Sequence, residues 1–275
     1  MPSSNTVPTD SEYAERRARL FELLGELDSL AVAFSGGVDS SVLLHAGRVA
    51  LGTRCVGVIA DSPSLPRAEF AEADRLAQGM GAELVVVETQ ELADPRYAAN
   101  AGDRCYFCKS ALFEQMASFC EARGFSALAF GEITDDQLDD RPGARAAAEF
   151  GVRAPLSEAG FSKADVRRYA REAGLVVADK PASACLASRV PTGTAVTREL
   201  LATVESAEGA LKARGYRVVR VRHHGARALL EVGEDEVARA REELEGLRDL
   251  LGRFGFSQVD LGVYVAPSER GLARR

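Results

Sequence analysis

Four short apolar runs, Leu30 to Phe34, Cys55 to Ala60, Leu84 to Glu88 and Ala127 to Gly131, recur through the first half of the chain. Each is too short for a helix and is continuous rather than alternating, the pattern of a strand buried on both faces. Between them, Val38 to Val49, Arg67 to Met80 and Lys109 to Arg123 read as helices. A first helix over Tyr13 to Leu27 precedes them, with Leu20, Leu23, Leu24 and Leu27 at helical spacing. Strands alternating with helices predict a parallel sheet covered on both faces, a Rossmann-like α/β domain.

After Gly143 the pattern gives an Ala-rich helix, then a helix over Lys163 to Ala173 closed by Gly174. The next segment, DKPASACLASRVPTGT, holds Pro181, Pro191 and Gly193, so it is no continuous helix and reads as an exposed connector. Beyond it come a helix over Thr197 to Arg214, strands over Tyr216 to Arg222 and Ala228 to Val232, a helix over Glu236 to Phe254 and a strand over Gln258 to Val265. The expected organisation is a main domain over 1–181, a cysteine-bearing connector over 182–195 and a small α+β C-terminal domain over 196–275.

With 46% hydrophobic and 27% charged residues in 275, a disordered or fibrous chain is excluded. Asp plus Glu (41) outnumber Lys plus Arg (34), a net charge of -7 that argues against nucleic acid or an anionic membrane as partner. No apolar run reaches the ~20 residues of a membrane span, and the start has no secretory apolar region, so a cytoplasmic protein is expected. Five cysteines, unevenly spaced, are too few for a disulfide framework. Reduced thiols with catalytic or metal roles are expected instead, Cys55 and Cys120 being core residues.

The strongest chemical signal is Ser35-Gly36-Gly37-Val38-Asp39-Ser40-Ser41, directly after a buried strand and opening a helix. Two glycines let backbone N–H groups face outward at the helix N-terminus and the serine hydroxyls add donors, so the loop suits a pyrophosphate. It lacks the Lys of a Walker loop, so N–H groups, the helix dipole and Mg²⁺ must offset the charge, with Asp39 as a metal ligand. Glu132, Asp135, Asp136, Asp139 and Asp140 follow a strand at the carboxyl edge of the sheet, where Asp136 is a further Mg²⁺ candidate. Arg220 and Arg222, two apart in a strand, point the same way and suit a phosphate, with Glu231 placed to orient one of them. Cys105-x-x-Cys108 plus the remote Cys185 supplies three thiolates. These suit an Fe–S cluster with one open iron, whereas a closed zinc site needs a fourth ligand from His45, His223 or His224.

The run Ser35 to Ser40 resembles the PP-loop ATP pyrophosphatases, whose SGGxDS motif it matches throughout. DRCYFCK (103–109), DDQLDDRPG (135–143), KPASACLASR (180–189) and RVRHHG (220–225) extend the similarity to the LarE family of ATP-dependent sulfur transferases, which serve nickel-pincer nucleotide synthesis, over about residues 15 to 265. The resemblance implies that ATP lies with its phosphates on Ser35 to Ser41 and its adenine near Asp61. It implies that a carboxylate of pyridinium-3,5-biscarboxylic acid mononucleotide is adenylated, releasing pyrophosphate, and that sulfur then displaces AMP to give a thiocarboxylate. Cys185 is implied as the sulfur carrier, either losing its own sulfur or helping Cys105 and Cys108 hold a [4Fe-4S] cluster. Arg220 and Arg222 are implied to bind the substrate phosphate, Arg189 to join the substrate site, and the protein to form a homo-oligomer. Two segments depart from the family pattern: Ile133-Thr134, where Asn is common, and GVYVAPSERG in place of a terminal G-Y-R-x-G-S. The competing expectations are tRNA thiolation or ammonia transfer on the same ATP chemistry, and a nucleotide-binding protein without turnover.

Overall fold

The computed structural model describes residues 9–138, 142–181 and 183–265. Asp139, Asp140 and most of the GVYVAPSERG segment therefore lie outside the described residues. By internal packing the chain divides into two units. The first comprises 1–62, 67–91 and 105–181, and the second 63–66, 92–104 and 182–275. The described residues of the 182–195 segment group with the second unit. Two excursions from the main domain, 63–66 and 92–104, join it there; the sequence pattern did not foresee them.

The first unit is built on a parallel sheet of β1 (Leu30–Ala33), β2 (Cys55–Asp61), β3 (Leu84–Glu88) and β4 (Ala127–Phe130), in the order β3-β2-β1-β4. Leu30 pairs with Cys55 on one side and with Ala127 on the other, so all strands end at the same edge. One face is sealed by α5 (Arg104–Arg123) and α6 (Pro142–Glu149): Phe113, Met116, Cys120, Ala146 and Ala147 pack on Ala31, Ala33, Val56 and Val58. On α2 (Val38–Leu51) Val42, Leu43 and Leu44 are fully buried, and α2 packs on β1 and β2. Around α2 stand α1 (Asp10–Gly25) and α8 (Lys163–Glu172), while α3 (Arg67–Gly79) packs on β3. The continuous apolar strands are thus explained by a sheet with no wet face at its centre. The chain also carries a short α4 (Pro95–Ala99) and α7 (Pro155–Glu158). Burial pushes the thiol pKa of Cys55 up to about 12 and that of Cys120 up to about 11, as expected of inert core thiols.

In the second unit, α9 (Arg198–Ala213) covers a sheet of β5 (Val219–His224), β6 (Arg227–Val232) and β7 (Gln258–Val263), in the order β5-β6-β7. β5 and β6 form an antiparallel hairpin, and β7 returns parallel to β6. Two expectations differ here. The strand expected from Tyr216 begins only at Val219, because the amides of Arg217 and Val218 donate to the Glu236 carboxylate (2.9 and 3.1 Å) instead of to a strand, and Tyr216 is buried in the core. The single helix expected over Glu236 to Phe254 is two, α10 (Val237–Glu242) and α11 (Leu244–Gly252). They are parted at Glu243, where the backbone (φ -88°, ψ 6°) leaves the helical well and the carboxylate accepts from Tyr216 Oη (3.1 Å) and Arg239 Nε (2.8 Å). Among the described residues no helix is long and apolar enough to cross a membrane.

Candidate active site

The Ser35–Ser41 loop leaves β1 at the carboxyl edge and becomes the first turn of α2. Gly36 takes φ +69°, and a Cβ there would stand 2.9 Å from Ala73 Cβ, so both conformation and space demand glycine. Gly37 caps the helix with no side-chain hydrogen bond to the amides behind it, which leaves the N-terminus open to an anion. Ser40 braces the loop from within: its hydroxyl lies 3.1 Å from Ser35 Oγ, donates to Gly37 O (3.1 Å) and receives the Ser35 amide (3.3 Å). Ser41 is 1% exposed, and its Oγ is without a hydrogen-bond partner.

This loop forms one wall of a cavity of about 390 Å³. Ser35, Gly37, Asp39 and Ser40 line it with Cys105 and Lys109 from α5, and with Glu132 and Asp136 from the loop after β4. The sequence reasoning that singled out the loop and the carboxylates missed Lys109. Its ammonium lies 5.6 Å from the ring centroids of both Phe113 and Phe130, and burial is the main influence on its pKa, which it lowers. The charges of Cys108, Cys105 and Glu132 pull the other way. Gly131 was missed too. It lets the end of β4 approach the Ser35–Ser41 loop closely, since a Cβ there would lie 2.7 Å from Ser40 N. Lys163 is a third addition: its ammonium grips both carboxylate oxygens of Asp39 at 2.8 Å, and its amide donates to Asp135 (2.6 Å). Asp39 therefore already has a cationic partner. Asp136 accepts from the Ile133 amide (3.3 Å), and Asp61 holds Arg67 at 2.5 Å at the end of β2.

Cys105 and Cys108 fall within the first five residues of α5, which starts five residues earlier than the expected Lys109; Cys105 is exposed. Of the zinc candidates, His45 Nδ1 pairs with Tyr169 Oη (3.0 Å) and His223 Nδ1 accepts from the Gly225 amide (3.3 Å). Among the described residues no group of three or more His, Cys, Asp or Glu side chains is gathered as a metal site.

In the second unit Cys185 is exposed and starts a 3-10 turn, Leu186–Arg189. Leu186 N donates to Ser64 O (2.8 Å), and Ser64 Oγ meets Tyr97 Oη (2.5 Å). Asn100, the single non-glycine residue among those described with positive φ (53°), donates to the carbonyls of Pro191 and Thr194 (2.8 and 3.1 Å) and accepts from Arg104 (2.5 Å). Arg222 is held by Glu231 (2.8 Å) and donates to Ser188 O (3.2 Å), so it abuts the cysteine turn. Arg220, on the same face of β5, lies 5.0 Å from the Tyr264 ring centroid. Arg189, expected in the substrate site, is 2% exposed, and its guanidinium bonds to Glu208 and to the carbonyls of Ala184 and Cys185.

No family model matches the chain. It is 39% identical over 244 residues, 88% of this chain and 91% of the relative, to an uncharacterized protein of Synechocystis sp.. It is 32% identical over 161 residues to the argininosuccinate synthase of Haloarcula marismortui, covering 54% of this chain and 38% of that one. With the pyridinium-3,5-bisthiocarboxylic acid mononucleotide synthase of Lactiplantibacillus plantarum it shares 34% identity over 249 residues, 90% of each chain. A relationship of that extent makes the chain a member of the pyridinium-3,5-bisthiocarboxylic acid mononucleotide synthase (LarE) family.

Proposed function

We propose that this chain is an ATP-dependent sulfur transferase that converts a carboxylate of pyridinium-3,5-biscarboxylic acid mononucleotide to a thiocarboxylate, with Cys185 as the sulfur donor. The observation that carries the reading is the phosphate-loop cavity, in a chain 34% identical across nine-tenths of its length to a synthase of the thiocarboxylated nucleotide. The outward amides at Gly37 and the N-terminus of α2 receive the ATP phosphates, with Lys109 as an added cation where the loop itself has none. Lys163 is paired with Asp39 in the free protein and is a second cation at the same loop. Glu132 and Asp136 are oxygen donors of the kind Mg²⁺ requires, and the ion would neutralise charge on the phosphates as pyrophosphate leaves.

A carboxylate oxygen of the substrate attacks the α-phosphorus. The bond to the β-phosphate oxygen breaks, and an acyl adenylate and pyrophosphate result. The Cys185 thiolate then attacks the acyl carbon and AMP departs with the former carboxylate oxygen, leaving a thioester on Cys185. Loss of the Cα proton and cleavage of the Cβ–S bond release the thiocarboxylate and leave dehydroalanine, with no change in net oxidation state. Arg220 and Arg222 are the groups proposed for the phosphate of the mononucleotide.

Cys185→Ala tests the donor. With ATP and the biscarboxylate nucleotide it should still release pyrophosphate and stop at the acyl adenylate, with no thiocarboxylate, while Cys105→Ala should yield one thiocarboxylate per chain. Thiocarboxylate from Cys185→Ala would overturn the assignment. Iron and sulfide in anaerobically purified protein, lost in Cys105→Ala together with activity, would favour a cluster-borne sulfur instead.

A further inference from the structure

The cysteine turn carries an arrangement that sulfur donation by itself does not explain. Arg189 is buried and salt-bridged to Glu208 through two parallel hydrogen bonds, Nε to Oε1 at 2.9 Å and Nη2 to Oε2 at 3.1 Å. Glu208 Oε1 also accepts the Val221 amide (3.0 Å), which fixes the carboxylate against β5. The remaining nitrogen, Nη1, turns back onto the turn: it donates to Ala184 O (2.5 Å), Cys185 O (2.8 Å) and Ser188 Oγ (3.0 Å). The two carbonyls belong to the peptide planes on either side of the Cys185 Cα. An apolar pair of similar volume would join α9 to the turn at least as stably as a buried ion pair. It could not place a cation on the Cys185 carbonyl.

That carbonyl is where charge develops if Cys185 gives up its sulfur. Removing the Cα proton places the C–H electron pair in an enolate whose negative oxygen is Cys185 O. The pair then forms the Cα=Cβ bond while the Cβ–S electrons leave with the thiocarboxylate, and the proton passes to water or a buffer base. We propose that Arg189 is a catalytic residue of this elimination, stabilising the enolate through the Nη1 hydrogen bond to Cys185 O, and that Glu208 holds it in place. The hydrogen bond is charge-assisted and pre-aimed from a buried guanidinium, conditions under which a donor to a developing oxyanion is effective. The proposal rests on Cys185 being the donor.

The experiment follows a single turnover by intact mass, with ATP and the biscarboxylate nucleotide, in wild type, Arg189→Lys and the double variant Arg189→Met/Glu208→Leu, which leaves no buried charge unpaired. In the double variant AMP should still be released and the thioester on Cys185 should accumulate, with conversion to dehydroalanine slowed by about 100-fold, the usual effect of losing one such donor. Arg189→Lys, which keeps the cation, should fall between. Conversion at the wild-type rate in both variants would overturn the role of Arg189. So would a thioester that forms slowly but eliminates normally, since that is the mark of a merely structural clasp. Wild-type protein that makes thiocarboxylate with Cys185 intact overturns the donor reading itself, and is distinguished because no dehydroalanine forms in any variant. If the double variant does not fold, Arg189→Lys alone decides by the same ratio of thioester to dehydroalanine.

Discussion

Gly131→Ala is the sharpest test of how β4 shapes the phosphate loop. The added methyl would lie 2.7 Å from Ser40 N, 2.9 Å from Asp39 C and 3.0 Å from Ser40 Cα. All three atoms are backbone of the first turn of α2, so no flexible side chain can move aside. Gly131 needs no positive φ, so alanine is tolerated by the backbone itself and the whole effect is steric. Relief requires β4 and the helix terminus to part, yet β4 is pinned to β1 from Leu30↔Ala127 through Ala33↔Phe130. Overpacking of this kind costs about 1–3 kcal/mol. If the strain is taken by the loop, it appears as lost affinity for ATP, roughly 5- to 140-fold at 1.4 kcal/mol per decade. If the sheet takes it, the loss is in unfolding free energy. Calorimetric titration with ATP and urea denaturation of the same variant read the two shares. Gly79→Ala, at the end of α3 with nothing within 4 Å of its added methyl, is the control: it should leave ATP affinity unchanged and raise stability by about 0.4–1 kcal/mol through the less flexible unfolded chain. A Gly131→Ala protein with wild-type affinity and wild-type stability would refute the close approach.

Lys109→Met should raise stability at neutral pH while weakening ATP binding. Burial lowers the lysine's folded pKa below its usual 10.5, so the unfolded chain binds more protons and stability rises with pH between the two values. The wild type should therefore gain on the variant in urea unfolding as pH climbs toward 10. Asn100→Ala should lose about 2 kcal/mol or more from its severed hydrogen bonds and a left-handed alanine, and Asn100→Gly about 1 kcal/mol less, since glycine relieves the strain alone; chemical denaturation of both separates the two causes. At Glu158, burial would raise the pKa, but Arg153 and the Ala154 amide together hold it below 4.5. Its stabilisation is present above the unfolded value and lost as pH falls through the folded one, so Glu158→Gln should destabilise at pH 7 and be neutral at pH 2.

The parallel sheet was legible because its strands, buried on both faces, are unbroken apolar runs such as LAVA and CVGVIA. The turn at Ser35 to Ser41 was legible because a glycine pair stands between an apolar run and a helical stretch. Lys163 was not, because its partner Asp39 is 124 residues away and only the fold joins them. Lys109 was hidden in the same way: next to a C-x-x-C it reads as an ordinary helical lysine until Phe113 and Phe130 enclose it. The burial of Arg189 was not legible because a connector rich in Pro and Gly carries no burial signal. The clue lay elsewhere, in α9, where Glu208 stands at helical spacing with the buried Leu201, Val204 and Leu211. A carboxylate on an apolar stripe requires a buried cation, and Arg189 supplies it.

The central claim, sulfur transfer driven by ATP cleavage at the α-phosphate, is tested most directly by identifying every product of one turnover. Wild-type protein, ATP, Mg²⁺ and pyridinium-3,5-biscarboxylic acid mononucleotide are mixed, and the nucleotides, the pyridinium product and the intact protein are weighed. The account predicts AMP and pyrophosphate, one thiocarboxylate per chain, and a protein lighter by the elements of hydrogen sulfide at Cys185. ADP and phosphate, or AMP without any sulfur in the pyridinium product, would contradict it.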